Sequence, residues 1–130
     1  MSKVVIVLRM LLGLAFLVFG LNGFMHFFAP PPPGASAAAA LGAALMDSGY
    51  VMQLMSAFEV VAAVMLLAGR FVPLAIALLA PILVNIVAFH LFLDPAGVGF
   101  GLVLAIMAAV VAWAYRSAYK PMLAAKVAIG

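Results

Sequence analysis

The chain has no cysteine among its 130 residues. Disulfide bonding, thiol redox chemistry, thiolate-bound zinc and cysteine-ligated iron–sulfur clusters are excluded with it. Charge is nearly as scarce. Three acidic and six basic residues make up 7% of the chain, where soluble domains carry about a quarter. The formal net charge of +3 is too small and too scattered to serve nucleic acid. There is no internal repeat and no long charge run. The spacing of Gly97, Gly99 and Gly101 has no strand before it, so it is not a nucleotide-binding fingerprint.

Apolar residues fill the space, at 71% of the chain. A soluble core of this length cannot hide so much apolar surface, so lipid is the expected solvent. Four apolar segments run from about Val4 to Phe28, Tyr50 to Ala68, Phe71 to Leu93 and Val98 to Tyr115. Each is near the roughly 20 residues that a spanning helix needs. The breaks fall at Pro30–Gly34, at Gly69-Arg70 and at Asp94–Gly97, where proline and glycine stop helices. The expected fold is all-α: a membrane-embedded antiparallel four-helix bundle, residues 1–130 forming one domain. A short alanine-rich helix over Ala35–Met46 is expected in the first loop, residues 29–49. Two readings of that loop are open, a lid over the bundle mouth and an interfacial linker.

The charges set the orientation. With four spans, Lys3, Arg9, Arg70, Arg116, Lys120 and Lys126 fall on one side, and Asp47 and Asp94 on the other. The positive-inside rule then places both termini of a multi-pass protein in the cytoplasm. A cleaved signal peptide is the competing reading of the N-terminus, but its apolar stretch is too long for one.

Within the spans, Pro73 falls in the first turn of its helix, whereas Pro81 lies mid-helix and removes the bond to the Ala77 carbonyl. That predicts a kink, with simple helix packing as the plainer reading of it. Gly101, Ala105 and Ala109 recur at spacing four in the last span. They would let another helix approach closely, either from this chain or, in a homo-oligomer, from a second copy.

Glu59 is the acidic residue inside a span. Keeping such a group in hydrocarbon costs roughly 2.5–3.5 kcal/mol on insertion scales. Other polar groups lie in the same half of the bilayer: Asn22 and His26 on the first span, Gln53 and Ser56 on the second, Asn85 and His90 on the third. Asn22 and His26 are i,i+4, and Gln53, Ser56 and Glu59 step by three, each set on one face. Asn85 and His90 lie roughly 140° apart at 3.6 residues per turn. The expectation is a pocket opening outward, with Glu59 as its floor, His26 and His90 near its mouth, and Phe24, Phe27, Phe28, Phe89 and Phe92 around it. Without an evident intramembrane cation, a neutral hydrogen-bonding carboxyl is expected rather than a salt bridge. A bis-histidine haem or a site of two histidines and a glutamate is chemically conceivable, but the histidines lie at the rim and the glutamate deeper. Interhelical hydrogen bonding alone is the plain reading for Asn22, Gln53 and Asn85.

Three stretches, RMLLGLAFLVFGLNGFMHFF, SGYVMQLMSAFEVVAAVMLLAGRFVPLA and LAPILVNIVAFHLFLDPAG, resemble segments of the DoxX-like bacterial membrane proteins. The resemblance implies a compact four-helix membrane protein tied to membrane redox systems. A related subunit belongs to an archaeal thiosulfate:quinone oxidoreductase, and other members are grouped with oxidative-stress assemblies. Glu59 matches the family's acidic position in its second helix, and Asn22 to His26 fall where members carry polar or basic residues. No catalytic role comes with these matches. The functional expectation is an accessory or binding subunit that holds a lipophilic molecule, a quinone or lipid, for a redox partner. An intramembrane enzyme or a proton-coupled small-solute transporter using Glu59 is the alternative.

Overall fold

The computed structural model describes residues 2–26 and 36–130. The expected proline run, and with it Phe27 and Phe28, lies outside the described residues. Four long apolar helices form the bundle: α1 (Lys3–Met25), α3 (Val51–Ala68), α4 (Val72–Leu93) and α5 (Val98–Ala114). A shorter helix, α2 (Ala37–Asp47), precedes α3, and a single turn, α6 (Arg116–Tyr119), follows α5. Each of the four long elements, with the Pro95–Gly97 turn leading into α5, is long and apolar enough to cross a membrane. The chain is therefore a multi-pass membrane protein by length and composition of its helices.

Local chemistry starts and stops these helices. Ser2 caps α1 by accepting from the Val5 amide at 3.2 Å, and Ser36 caps α2 by accepting from Ala39 at 3.1 Å. Ser48 joins α2 to α3: its hydroxyl donates to the Leu45 carbonyl at 2.6 Å and accepts from the Val51 amide at 3.1 Å. Gly69 ends α3 in the left-handed region, with φ of 69°. The Arg70 amide bonds back to the Met65 carbonyl at 3.1 Å, which satisfies a helix-end acceptor. This turn leaves no room for a linker, so α3 and α4 run antiparallel side by side. Pro73 sits in the first turn of α4. Pro81 stands on an exposed face of α4, and the helix continues through it to Leu93.

The four long helices pack in the cyclic order α1, α3, α4, α5. Leu12 and Phe16 of α1, Leu66 of α3, Leu79 of α4 and Val111 of α5 are fully buried along the shared axis. The most extensive interface joins α1 and α3, and glycines of α1 make it close. A Cβ at Gly13 would lie 2.9 Å from Leu67 Cγ, and one at Gly20 would lie 2.7 Å from Val60 Cγ2. The outward faces are apolar as well, with Leu14, Phe58, Val61, Val84 and Ile106 all exposed. Apolar side chains on both sides of every helix fit a bundle whose solvent is lipid.

The expected small-residue stripe in the last span divides. Gly101 is buried and faces α4, where a Cβ would lie 3.3 Å from Ile86 Cγ2. It serves packing within the chain. Ala105 and Ala109 instead edge an open groove between α4 and α5.

The basic end of the bundle is tied together by two side chains. The Arg9 guanidinium lies against Gly69, where an added Cβ would sit 2.6 Å from Nη1. That places a cation at the C-terminal end of α3, where the helix dipole favours one. The Tyr119 hydroxyl donates to the Pro73 carbonyl at 2.8 Å, fixing α6 to the start of α4. Beside it, Arg116 stacks on Trp113 at 4.8 Å from the ring centre and donates to the Trp113 carbonyl at 2.9 Å.

Candidate functional site

All four long helices contribute to one cavity of about 330 Å³. From α1 come Phe16, Phe19, Asn22 and Gly23; from α3, Met52, Met55, Ser56 and Glu59; from α4, Ile86 and His90; from α5, Phe100 and Leu104. The site exists because α1 and α3 touch closely at this level. Gly23 faces the Ser56 side chain so tightly that a Cβ there would collide with the Ser56 hydroxyl and lie 2.7 Å from Ser56 Cβ. A larger residue at 23 would displace the Ser56 side chain from its place on the cavity wall.

Glu59 is 6% exposed and Ser56 is 2% exposed. Among the described residues, no hydrogen bond or ion pair engages the Glu59 carboxyl. Its α3 neighbours on the cavity wall are Met52, Met55 and Ser56. His90 occupies the opposite wall, beside the turn that leads into α5. Its imidazole packs edge-on against Phe89, with 5.3 Å between ring centres. Nδ1 stands 3.5 Å from the Asp94 carboxylate, and a Cβ on Gly97 would lie 2.5 Å from that same nitrogen. The bare backbone of Gly97 thus makes the space in which the ring sits. Phe19 and Phe100 meet edge to face at 5.7 Å across the cavity rim.

Of the seven polar residues singled out in the spans, the fold brings Asn22, Ser56, Glu59 and His90 to this cavity. His26, Gln53 and Asn85 are exposed and do not line it. Each departure has a geometric cause. Helix α1 ends at Met25, and His26 takes the left-handed conformation at φ of 54°, so it leaves the face it would share with Asn22. A step of three residues drifts by roughly 60° around a helix, so Gln53 stands roughly 120° away from Glu59. Asn85 and His90 diverge as their spacing requires, and the fold turns His90 inward.

The aromatic walls also differ from the expected set. Phe24 and Phe92 point outward, and Phe89 supports His90 from the side. Phe16, Phe19 and Phe100 take the lining positions. Phe16, Phe19 and Gly23 follow the i, i+3, i+7 pattern of one helix face, and Asn22 lies beside them. That pattern was available in the sequence as a signal. Phe100, Leu104, Met52 and Met55 had none, because apolar residues in a membrane helix serve core and lipid alike. No residue of α2 lines the cavity.

Among the described residues, no three His, Asp or Glu side chains come close enough to share a metal ion. Compared with family models, curated proteins and solved structures, the chain matches none.

Proposed function

We propose that the chain is a membrane binding subunit that holds the ring-sized head of a lipophilic molecule in the cavity around Glu59. The observation that carries this reading is a cavity with mainly apolar and aromatic walls whose lining includes the polar residues Asn22, Ser56, Glu59 and His90. Small-molecule sites are built in this way, with few polar groups to orient a ligand against apolar walls. A volume of about 330 Å³ suits one substituted ring with its near substituents rather than a whole lipid. A quinone is the best-fitting class. Its flat body matches Phe16, Phe19 and Phe100, and its carbonyl oxygens accept from donors of the Ser56 and His90 type. The DoxX-like resemblance points to the same class and to a redox partner in the membrane.

The distribution of charge supports the orientation of this site. Basic residues gather where α1 starts, where α3 meets α4 and where α5 ends, so that end faces the cytoplasm of a bacterial inner membrane, with both termini there. The cavity then lies toward the outer leaflet. The inner half of the bundle is closed by Leu12, Leu66, Leu79 and Val111, which weighs against transport through the bundle and for a site closed at its inner end.

The test is titration of the purified protein in micelles with a short-tailed benzoquinone, followed by calorimetry. Saturable binding that Glu59→Leu and Gly23→Leu both abolish is the expected result. Heat no greater than that of partitioning into empty micelles would refute the reading, as would binding untouched by either substitution.

A further inference from the structure

The exposed face of α4 is apolar except at Asn85. Leu74, Pro81, Val84, Leu91 and Phe92 surround that residue on the outward side, and all are exposed. Asn85 lies thirteen residues from Val72 and eight from Leu93, roughly 20 Å and 12 Å along the helix at 1.5 Å per residue. Its amide therefore meets hydrocarbon, well below either interface. An asparagine side chain is too short to reach the headgroups from there. Among the described residues, it has no hydrogen-bond partner in its own chain. An acyl chain lying on this face would leave the amide's donor and acceptor both unsatisfied.

We infer that Asn85 is the centre of a homodimer interface, in which it pairs with Asn85 of a second copy. The argument is one of symmetry. Copies that share one orientation in the membrane are related by a two-fold axis along the membrane normal. Two α4 helices across such an axis run parallel and at the same depth, so residue 85 meets residue 85. An amide carries both an N–H donor and a carbonyl acceptor, which makes the pair self-complementary: each asparagine donates to the other.

The absence of cysteine makes the test clean, because an introduced thiol is the sole thiol in the chain. Asn85→Cys, oxidised in intact membranes, is expected to yield disulfide-linked dimer faster than Val61→Cys on α3 or Leu14→Cys on α1, both outward-facing and at mid-span. In parallel, fluorophore-labelled wild type diluted in lipid vesicles is expected to bleach in two steps. Asn85→Leu should dimerise about tenfold more weakly, and Asn85→Gln should recover most of the loss. Cross-linking of Asn85→Cys no faster than the two controls would overturn the inference. So would single-step bleaching of wild type, or a dimer fraction unchanged in Asn85→Leu. Vesicle reconstitution reads the native amide without the cysteine, so a poorly folded Asn85→Cys leaves the inference testable.

Discussion

Replacing Gly20 with alanine tests the closeness of α1 and α3 on which the cavity depends. A Cβ there would lie 2.7 Å from Val60 Cγ2, 3.0 Å from the Val60 nitrogen and 3.1 Å from the Ser56 carbonyl oxygen. The valine methyl can rotate away, but the other two atoms are main chain. Restoring ordinary contact then requires the helices to part by about 0.3–0.4 Å, a gap that loosens every dispersion contact along the seam. Overpacking of this kind costs about 1–3 kcal/mol. Against it stands alanine's better helix propensity, about 0.5–1 kcal/mol over glycine. The net expectation is destabilisation of about 0–2.5 kcal/mol, centred a little above 1.

Gly99 provides the comparison, since an added Cβ there meets nothing within 4 Å. Gly99→Ala should stay within about 0.5 kcal/mol of wild type. The assay is unfolding in dodecyl maltoside micelles with rising mole fraction of dodecyl sulfate, followed by far-ultraviolet circular dichroism. Val60→Ala introduced with Gly20→Ala removes the methyl clash but leaves the main-chain ones. It should therefore recover part of the loss, with a coupling of more than about 0.5 kcal/mol. If Gly20→Ala behaves like Gly99→Ala, the glycines of α1 do not set the helix separation and the account of the cavity fails.

Glu59→Leu should stabilise the bundle by about 1–3 kcal/mol in the same assay, because it removes an unpartnered polar group from the interior, while it abolishes quinone binding. A destabilised Glu59→Leu would mean that the carboxyl is structural. Gly97→Ala should drive the His90 imidazole from its place, since the new Cβ would sit 2.5 Å from Nδ1. The expected readouts are a changed His90 proton resonance and weaker ligand binding, with α4 still helical by hydrogen exchange. Tyr119→Phe removes the hydroxyl bond to Pro73 and should cost about 0.5–1.5 kcal/mol. Burial pushes the Tyr119 hydroxyl above its ordinary value, so the folded chain keeps a neutral phenol where the unfolded chain ionises. Its stabilisation is present below the unfolded value near pH 10 and is lost as pH rises past it. Wild type should therefore lose stability in strong alkali relative to Tyr119→Phe, and parallel pH profiles of the two would contradict this assignment.

The spans were legible in the sequence because their signals are local. Apolar runs of spanning length and the breaks at Gly69-Arg70 and Asp94–Gly97 give the helices to within a few residues. The largest difference is at the end of α1, at Met25 instead of about Phe28. The basic residues gave the pairing of ends, and Arg9 against Gly69 and Tyr119 on Pro73 are its physical form. Which face of each helix looks inward was much less legible. In water, an amphipathic stripe marks the buried face; here both faces are apolar, and leucine on one side carries no more information than leucine on the other.

Polar residues were the remaining guide, and they point in two directions for a physical reason. A buried polar group in a membrane bundle needs a partner, and that partner can be a ligand, another helix of the chain or a second molecule. Sequence spacing alone cannot distinguish these, but depth and rotation can. Ser56 packs directly on Gly20 and Gly23 of α1, and Glu59, roughly 60° around α3 from Ser56, is turned to the cavity that all four long helices line. Asn85 lies on the same helix as His90 but roughly 140° around it, so a fold that turns His90 toward Glu59 turns Asn85 toward lipid. One rotation of α4 thus satisfies the cavity and creates the demand for an external partner. The proposed ligand site and the proposed dimer face follow from the same packing choice, and rotating α4 to bury Asn85 would remove His90 from the cavity.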